Sequence, residues 1–276
     1  MDVYFDTNIY SHIFTRHRVS DADVRKLERS IDAGKVQIFT SFPVIEETNA
    51  ARLSALDEAN GRLELIRTLA VQDKIIKHHS ELIGGDIRAY ANGESPPSKF
   101  RAPYPGLRDV FWDHTAKNYK ELDDFARETI NQVTGFADDL DHSFKTLIKP
   151  LVQEERDKRV EQQSFSAYWK KMSKPWVRAV ADKYGWLQEC RARGINGLLK
   201  VHSLRISTIA QVSLTYAYTY ERTEFDRGNS RDMHHVGCAS AVPTFVTHDK
   251  PLTKLLNRMP PPNLEVITLE TMLSRL

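Results

Sequence analysis

Four acidic residues stand where short apolar runs end or where a small-residue segment begins. Asp6 closes the run Val3 to Phe5, and Asp249 follows Phe245, Val246, Thr247 and His248. Glu47 lies in SFPVIEET, just past the run VQIFT, and Asp232 opens DMHHVGCASA. Carboxylates brought side by side raise one another's pKa, so such a group is stable only around a cation. Carboxylate and water oxygens suit hard ions such as Mg²⁺ or Mn²⁺. The chemistry these residue types offer is therefore that of a bound divalent cation. Taken singly, each acid also has a plainer reading. Asp6 and Asp232 fit helix caps, Glu47 a surface glutamate and Asp249 a turn residue.

Whether they meet depends on the elements that carry them. Val3 to Phe5 reads as a short buried strand, Val36 to Thr40 as a second, Thr244 to Thr247 as a third and Leu264 to Thr268 as a last one. A strand near Leu69 to Gln72 is a weaker expectation, followed by helix over residues 73–90. Helical patterns fill the gaps. Asp21 and Asp23 put negative charge in a first turn that Gly34 later stops, and Pro43 is tolerated at a helix start. Asp232 is expected to start a helix whose small face, Val236, Gly237, Ala239 and Ala241, packs on the sheet. Strands separated by helices predict an α/β fold with an open parallel sheet flanked by helices. In such sheets ligands bind beyond the carboxyl ends of the strands, where strand order reverses. Asp6 and Asp249 both occupy strand ends of that kind.

With these pieces in order, the sequence resembles the PIN-domain ribonucleases. The matching stretches are VYFDTNIY, TSFPVIEET and SRDMHHVGCASAVPTFVTHD. They cover roughly residues 1–92 and 225–276. The resemblance implies a PIN-like sheet with Asp6, Glu47, Asp232 and Asp249 as catalytic, metal-binding acids. Asn8 and Thr247 match its supporting polar positions. Glu47 is preferred over Glu46 because apolar Val44 precedes it by three, as the family pattern wants. The implied activity is a Mg²⁺- or Mn²⁺-dependent endoribonuclease that leaves a 5′-phosphate and a 3′-hydroxyl. The residue types support this independently, since a bound ion lowers the pKa of a water and stabilises charge on attacking and leaving oxygens. Two alternatives remain at this point: a non-catalytic PIN-like scaffold, and a nuclease of structured DNA using the same acids.

The resemblance leaves out a long middle. Residues 93–106 hold four of the twelve prolines and read as a loop or boundary. The expected organisation is a discontinuous nuclease core, 1–92 and 205–276, around a large, mostly helical insertion, 93–204. The net charge of +2 hides a split. Residues 108–144 carry nine acidic against four basic side chains, and residues 145–205 carry fourteen basic against six acidic. Lys170, Lys171, Lys174 and Arg178, with Tyr168, Trp169 and Trp176 among them, form a candidate phosphate-binding face, the alternative being an ordinary solvated helix surface.

Several classes drop out. A phosphatase of the haloacid-dehalogenase type needs an acid two positions after Asp6, where Asn8 stands. No glycine-rich phosphate loop is present. Two cysteines, Cys190 and Cys238, are too few for a disulfide framework or zinc finger and fit a reducing cytoplasm. The adjacent pairs His78-His79 and His234-His235 point to different helix faces and are expected to be surface or packing residues. His235 and His248 are placed nearest the acids. At 41% hydrophobic and 28% charged the chain reads as globular. Its longest charge-free apolar stretch, Ile206 to Tyr220, is too polar and short to span a membrane and reads as a buried helix. The expected partners are an RNA substrate, an inhibitor or antitoxin protein and a second copy in a homodimer, with no membrane.

Overall fold

The structure is a computed structural model that describes residues 1–51, 55–101, 153–154, 163–221, 223 and 227–276. Residues 108–144, with their acidic excess, lie outside the described residues, as does most of 145–162. Among the described residues, six strands form one sheet: β1 (Asp2–Phe5), β2 (Gln37–Ser41), β3 (Ala70–Ile76), β4 (Phe100–Arg101), β5 (Thr244–Val246) and β6 (Glu265–Ile267). Their spatial order is β4-β3-β2-β1-β5-β6. All neighbours run parallel except β4, which pairs antiparallel on the β3 edge.

β1 is central and buried, with Val3, Tyr4 and Phe5 fully covered. A strand packed on both faces must be apolar throughout, which is why VYF carries no polar alternation. The chain walks from β1 to β2 and β3 in one direction, and later from β5 to β6 in the other. The crevice between the ends of β1 and β5 is thus the topological switch point.

Helices α1 (Thr7–Phe14) and α2 (Asp21–Asp32) link β1 to β2, and α3 (Phe42–Ala50) and α4 (Leu56–Leu69) link β2 to β3. Ser20 and Asp23 form a reciprocal capping box at the start of α2. α5 (His79–Asn92) ends at Gly93, whose φ of 76° is a left-handed conformation that glycine adopts without strain. α6 (Phe165–Lys183), α7 (Leu187–Arg193), a short 3₁₀ turn (Ile195–Lys200), α8 (His202–Tyr220) and α9 (Arg227–Ala239) precede β5. α10 (Lys250–Asn257) leads to β6, and α11 (Leu269–Ser274) follows it. Among the described residues, no helix is long and apolar enough to cross a membrane.

Three elements differ from the sequence expectation. β3 runs on to Ile76, where helix was expected, because Ile75 and Ile76 pair with Thr40 and Ser41 on one side and with β4 on the other. β4 itself lies in the proline-rich segment read as loop. Both are set by distant partners, not local propensity. Third, α9 begins at Arg227, so Asp232 sits inside the helix and not at its cap. The described part of the 93–204 segment joins the rest through shared apolar clusters. Val177, Ala181, Cys190, Leu198 and Leu204 pack on Ile83 and Ile87 of α5, and Tyr168 packs on Val212 and Tyr216 of α8.

Candidate functional site

The end of β1 is pinned to the end of β5 by backbone and side chain together. The Asp6 amide donates to the Val246 carbonyl (3.1 Å). The Thr247 hydroxyl donates to Asp6 Oδ2 (2.8 Å) and accepts from the Asp249 amide (3.0 Å). Asp6 stands at the N-cap position of α1, but its carboxylate makes no capping bond there and turns to Thr247 instead. Asp249 does serve as a cap: its Oδ1 accepts from the Leu252 amide of α10 (2.6 Å). Its plain structural reading therefore holds alongside any functional one.

Glu47 is not a surface glutamate. It projects from α3 to accept from the Thr7 hydroxyl (2.6 Å), and its Oε1 lies 3.2 Å from His235 Nε2. The same His235 nitrogen is 3.8 Å from Asp6 Oδ1. His235 is 2% exposed, and its Nδ1 lies 2.6 Å from the Tyr4 hydroxyl, itself 2.8 Å from Ser41 Oγ. Burial pulls the His235 imidazole down, but the Glu47 charge and hydrogen bond, with Asp6 and Asp232, outweigh it and raise its pKa to about 9. His235 is accordingly an imidazolium at neutral pH, wedged between two carboxylates. Its Nδ1–H then donates to Tyr4, and Tyr4 donates to Ser41.

The four acids feel one another unequally. Burial raises Asp6 above its ordinary range, with His235 and the Thr247 hydrogen bond pulling it back. Burial would raise Glu47 too, but His235, then Thr7 and Arg231, bring it down to about 2. Asp232, one turn before His235 on α9, is pushed up to about 7, first by burial and next by Asp249 and Asp6. Burial is the larger cause of that rise, and the neighbouring carboxylates add to it against the pull of His235.

The fold thus brings Asp6, Glu47, Asp232 and Asp249 into one electrostatically coupled group with Thr247. Asn8 is exposed on α1, and its neighbour Thr7 makes the inward hydrogen bond. Glu46 is raised by burial and by Glu47, while Glu47 reaches His235. Lys170, Lys171, Lys174 and Arg178 lie exposed along α6. His248 contacts the turn after α1, where Arg18 Nη1 is 3.2 Å from His248 Nδ1. Thr7, Tyr4, Ser41 and the buried cation His235 carried no sequence signal beyond proximity to the acids.

A second cluster was not expected. His78, His79 and His234 place candidate ligand atoms within 4.8 Å of one another, the one such group of three or more found among the described residues. The four acids are not so closely grouped; Asp6, Glu47 and Asp249 are each held by the hydrogen bonds above. No family model matches the chain, and no curated protein or solved structure does.

Proposed function

We propose that the chain is a Mg²⁺- or Mn²⁺-dependent endoribonuclease of the PIN-like kind, acting in the cytoplasm. The observation that carries this is the electrostatic coupling of four carboxylates near the switch-point crevice, with His235 3.2 Å from Glu47 and 3.8 Å from Asp6 as their counter-charge. Uncompensated buried negative charge is costly, and the donor set is all oxygen, which fits a hard divalent ion. Asp6, Glu47, Asp232 and Asp249 would hold it. When bound, the ion supplies Lewis acidity and an activated water near a phosphodiester.

The protein's own residues do the rest. Thr247 fixes Asp6 Oδ2, and Thr7 fixes Glu47 Oε2, so each carboxylate presents a set oxygen to the crevice. Tyr4 and Ser41 hold His235 from behind. His235 relieves repulsion between Asp6 and Glu47 until an ion arrives. Asp232, with its pKa pushed up to about 7, would be held in its charged form by a nearby cation.

The test uses chelator-treated protein with labelled single-stranded RNA and duplex DNA. Cleavage of RNA is expected on adding Mn²⁺ or Mg²⁺, leaving 5′-phosphate ends, and none with EDTA. Preferred cutting of the duplex moves the substrate to DNA. No cutting of either nucleic acid with either ion retires the nuclease reading.

Arg18 lies beside His248 (3.2 Å between Nη1 and Nδ1), on a turn where Arg16 and Arg18 both take positive φ. A phosphate contact there is a charge-assisted hydrogen bond worth about 1.5 kcal/mol. Arg18→Ala is therefore expected to raise KM for RNA about tenfold with little change in kcat. Charge reversal of Lys170, Lys171, Lys174 and Arg178 tests the α6 face in the same assay. Cleavage whose salt dependence stays unchanged removes that face from the substrate path.

A further inference from the structure

α9 presents two chemistries on neighbouring faces. Asp232 and His235 face the carboxylates. His234, roughly 100° around the helix from His235, faces the start of α5. There His78 sits at the N-cap position and His79 is the first helical residue. The ring centroids of His79 and His234 are 4.1 Å apart, those of His78 and His79 are 4.4 Å apart, and those of His78 and His234 are 5.5 Å apart.

Two further observations point to a ligand. His79 Nδ1 is buried and has no hydrogen-bond partner among the described residues, an arrangement that costs stability unless something fills it. The approach of α5 to α9 also depends on a glycine. A Cβ at Gly237 would come 2.5 Å from His79 Cβ. Position 237 is one turn beyond His234, so the missing side chain is what lets His79 reach its partner. His78 Nδ1 accepts from the Ser80 amide (3.5 Å) and lies 2.8 Å from the Ser80 Oγ, which orients that ring and directs its Nε2 away from Ser80.

We propose that His78, His79 and His234 form a three-histidine site for a transition-metal ion of the Zn²⁺ class, separate from the carboxylate cluster. Imidazole nitrogens suit Zn²⁺ and its neighbours, whereas Mg²⁺ prefers oxygen. Three protein nitrogens leave a fourth tetrahedral position for water or a substrate group. The rings of His79 and His234 stack at 21°, so closing on an ion takes a rotation of one ring about χ2. The bound ion joins α5 to α9 and thereby steadies the helix that carries Asp232 and His235. The site does not require the carboxylates to cut RNA.

The experiment uses the full chain, stripped with chelator, and Co²⁺ as a spectroscopic stand-in for Zn²⁺. One equivalent of Co²⁺ is expected to give the visible absorption of tetrahedral coordination. Zn²⁺ at about 100 times its Kd is expected to raise Tm by about 5 °C. Both responses should vanish in His79→Gln and His234→Gln and persist in Glu47→Gln. X-ray absorption of the Zn²⁺-loaded wild type needs no variant and should show imidazole scattering. An oxygen-only shell, responses that survive both histidine changes, responses lost in Glu47→Gln, or a wild type indifferent to both ions would each overturn the assignment.

Discussion

Asp232→Asn is expected to melt higher than the wild type at pH 8 and to lose divalent-dependent cleavage altogether. The Asp232 carboxyl has a folded pKa near 7 against 3.8 when free. Its sign follows from linkage. A raised folded pKa means the penalty is absent below the unfolded value, grows as pH climbs from there, and is complete above about 7. A gap of about three pH units corresponds to about 4 kcal/mol of lost stability. Asparagine keeps the shape without the charge. The gain should be about 2–4 kcal/mol at pH 8, or about 5–10 °C in Tm, shrinking toward zero near pH 4. The same change removes the charge of a proposed metal ligand, for which a loss of cleavage of about a thousandfold or more is expected. Thermal melts at several pH values, beside an RNA cleavage assay, check both halves. Equal melting temperatures at pH 8, or full cleavage, would remove Asp232 from a strained charged site. Asp6→Asn should lose cleavage in the same way without lowering Tm.

Removing the buried imidazolium has the opposite effect on stability. His235→Ala leaves Asp6 and Glu47 facing each other with no cation between them. Breaking a buried ion pair from one side costs about 3–5 kcal/mol, here a fall in Tm of about 10 °C. Two rescues are expected. Glu47→Gln on top of His235→Ala should recover much of the loss, because one of the stranded charges is gone. Millimolar Mn²⁺ should also recover it, to a greater extent than it stabilises the wild type. In the wild type, the His235 contribution is complete below pH 6.5 and fades as pH rises through about 9. At the acid end, Glu47 loses its contribution as pH falls from 4.5 through about 2. A His235→Ala variant as stable as the wild type at pH 7, or deaf to Mn²⁺, would contradict a shared cation site.

Much of this arrangement was legible before any coordinates. Apolar runs ending in Asp6 and Asp249 are local signals, and a parallel sheet has few ways to arrange them. Asp6 and Glu47 do meet at His235, and Asp232 feels the charges of Asp249, Asp6 and Glu47. What could not be read depends on non-local partners. Thr7 and Asn8 are adjacent, and nothing in their types says which faces inward; the phase of α1 decides it. The polar run before Asp232 holds Gly228, Asn229 and Ser230, which favour loop, yet α9 starts at Arg227. Within its own segment, each pair of neighbouring histidines points to different helix faces. The trio forms only because α5 and α9 meet.

The hydroxyl bridge from Thr247 to Asp6 spans 241 positions of the chain. Contacts of such separation are the last that a growing polypeptide can make. A ribosome-bound chain that has emitted β1, β2 and β3 holds Asp6 and Glu47 but neither Asp232 nor Asp249. Nascent chains, and products terminated before residue 232, therefore lack two of the four acids of the proposed site, which is complete only when synthesis has passed residue 249.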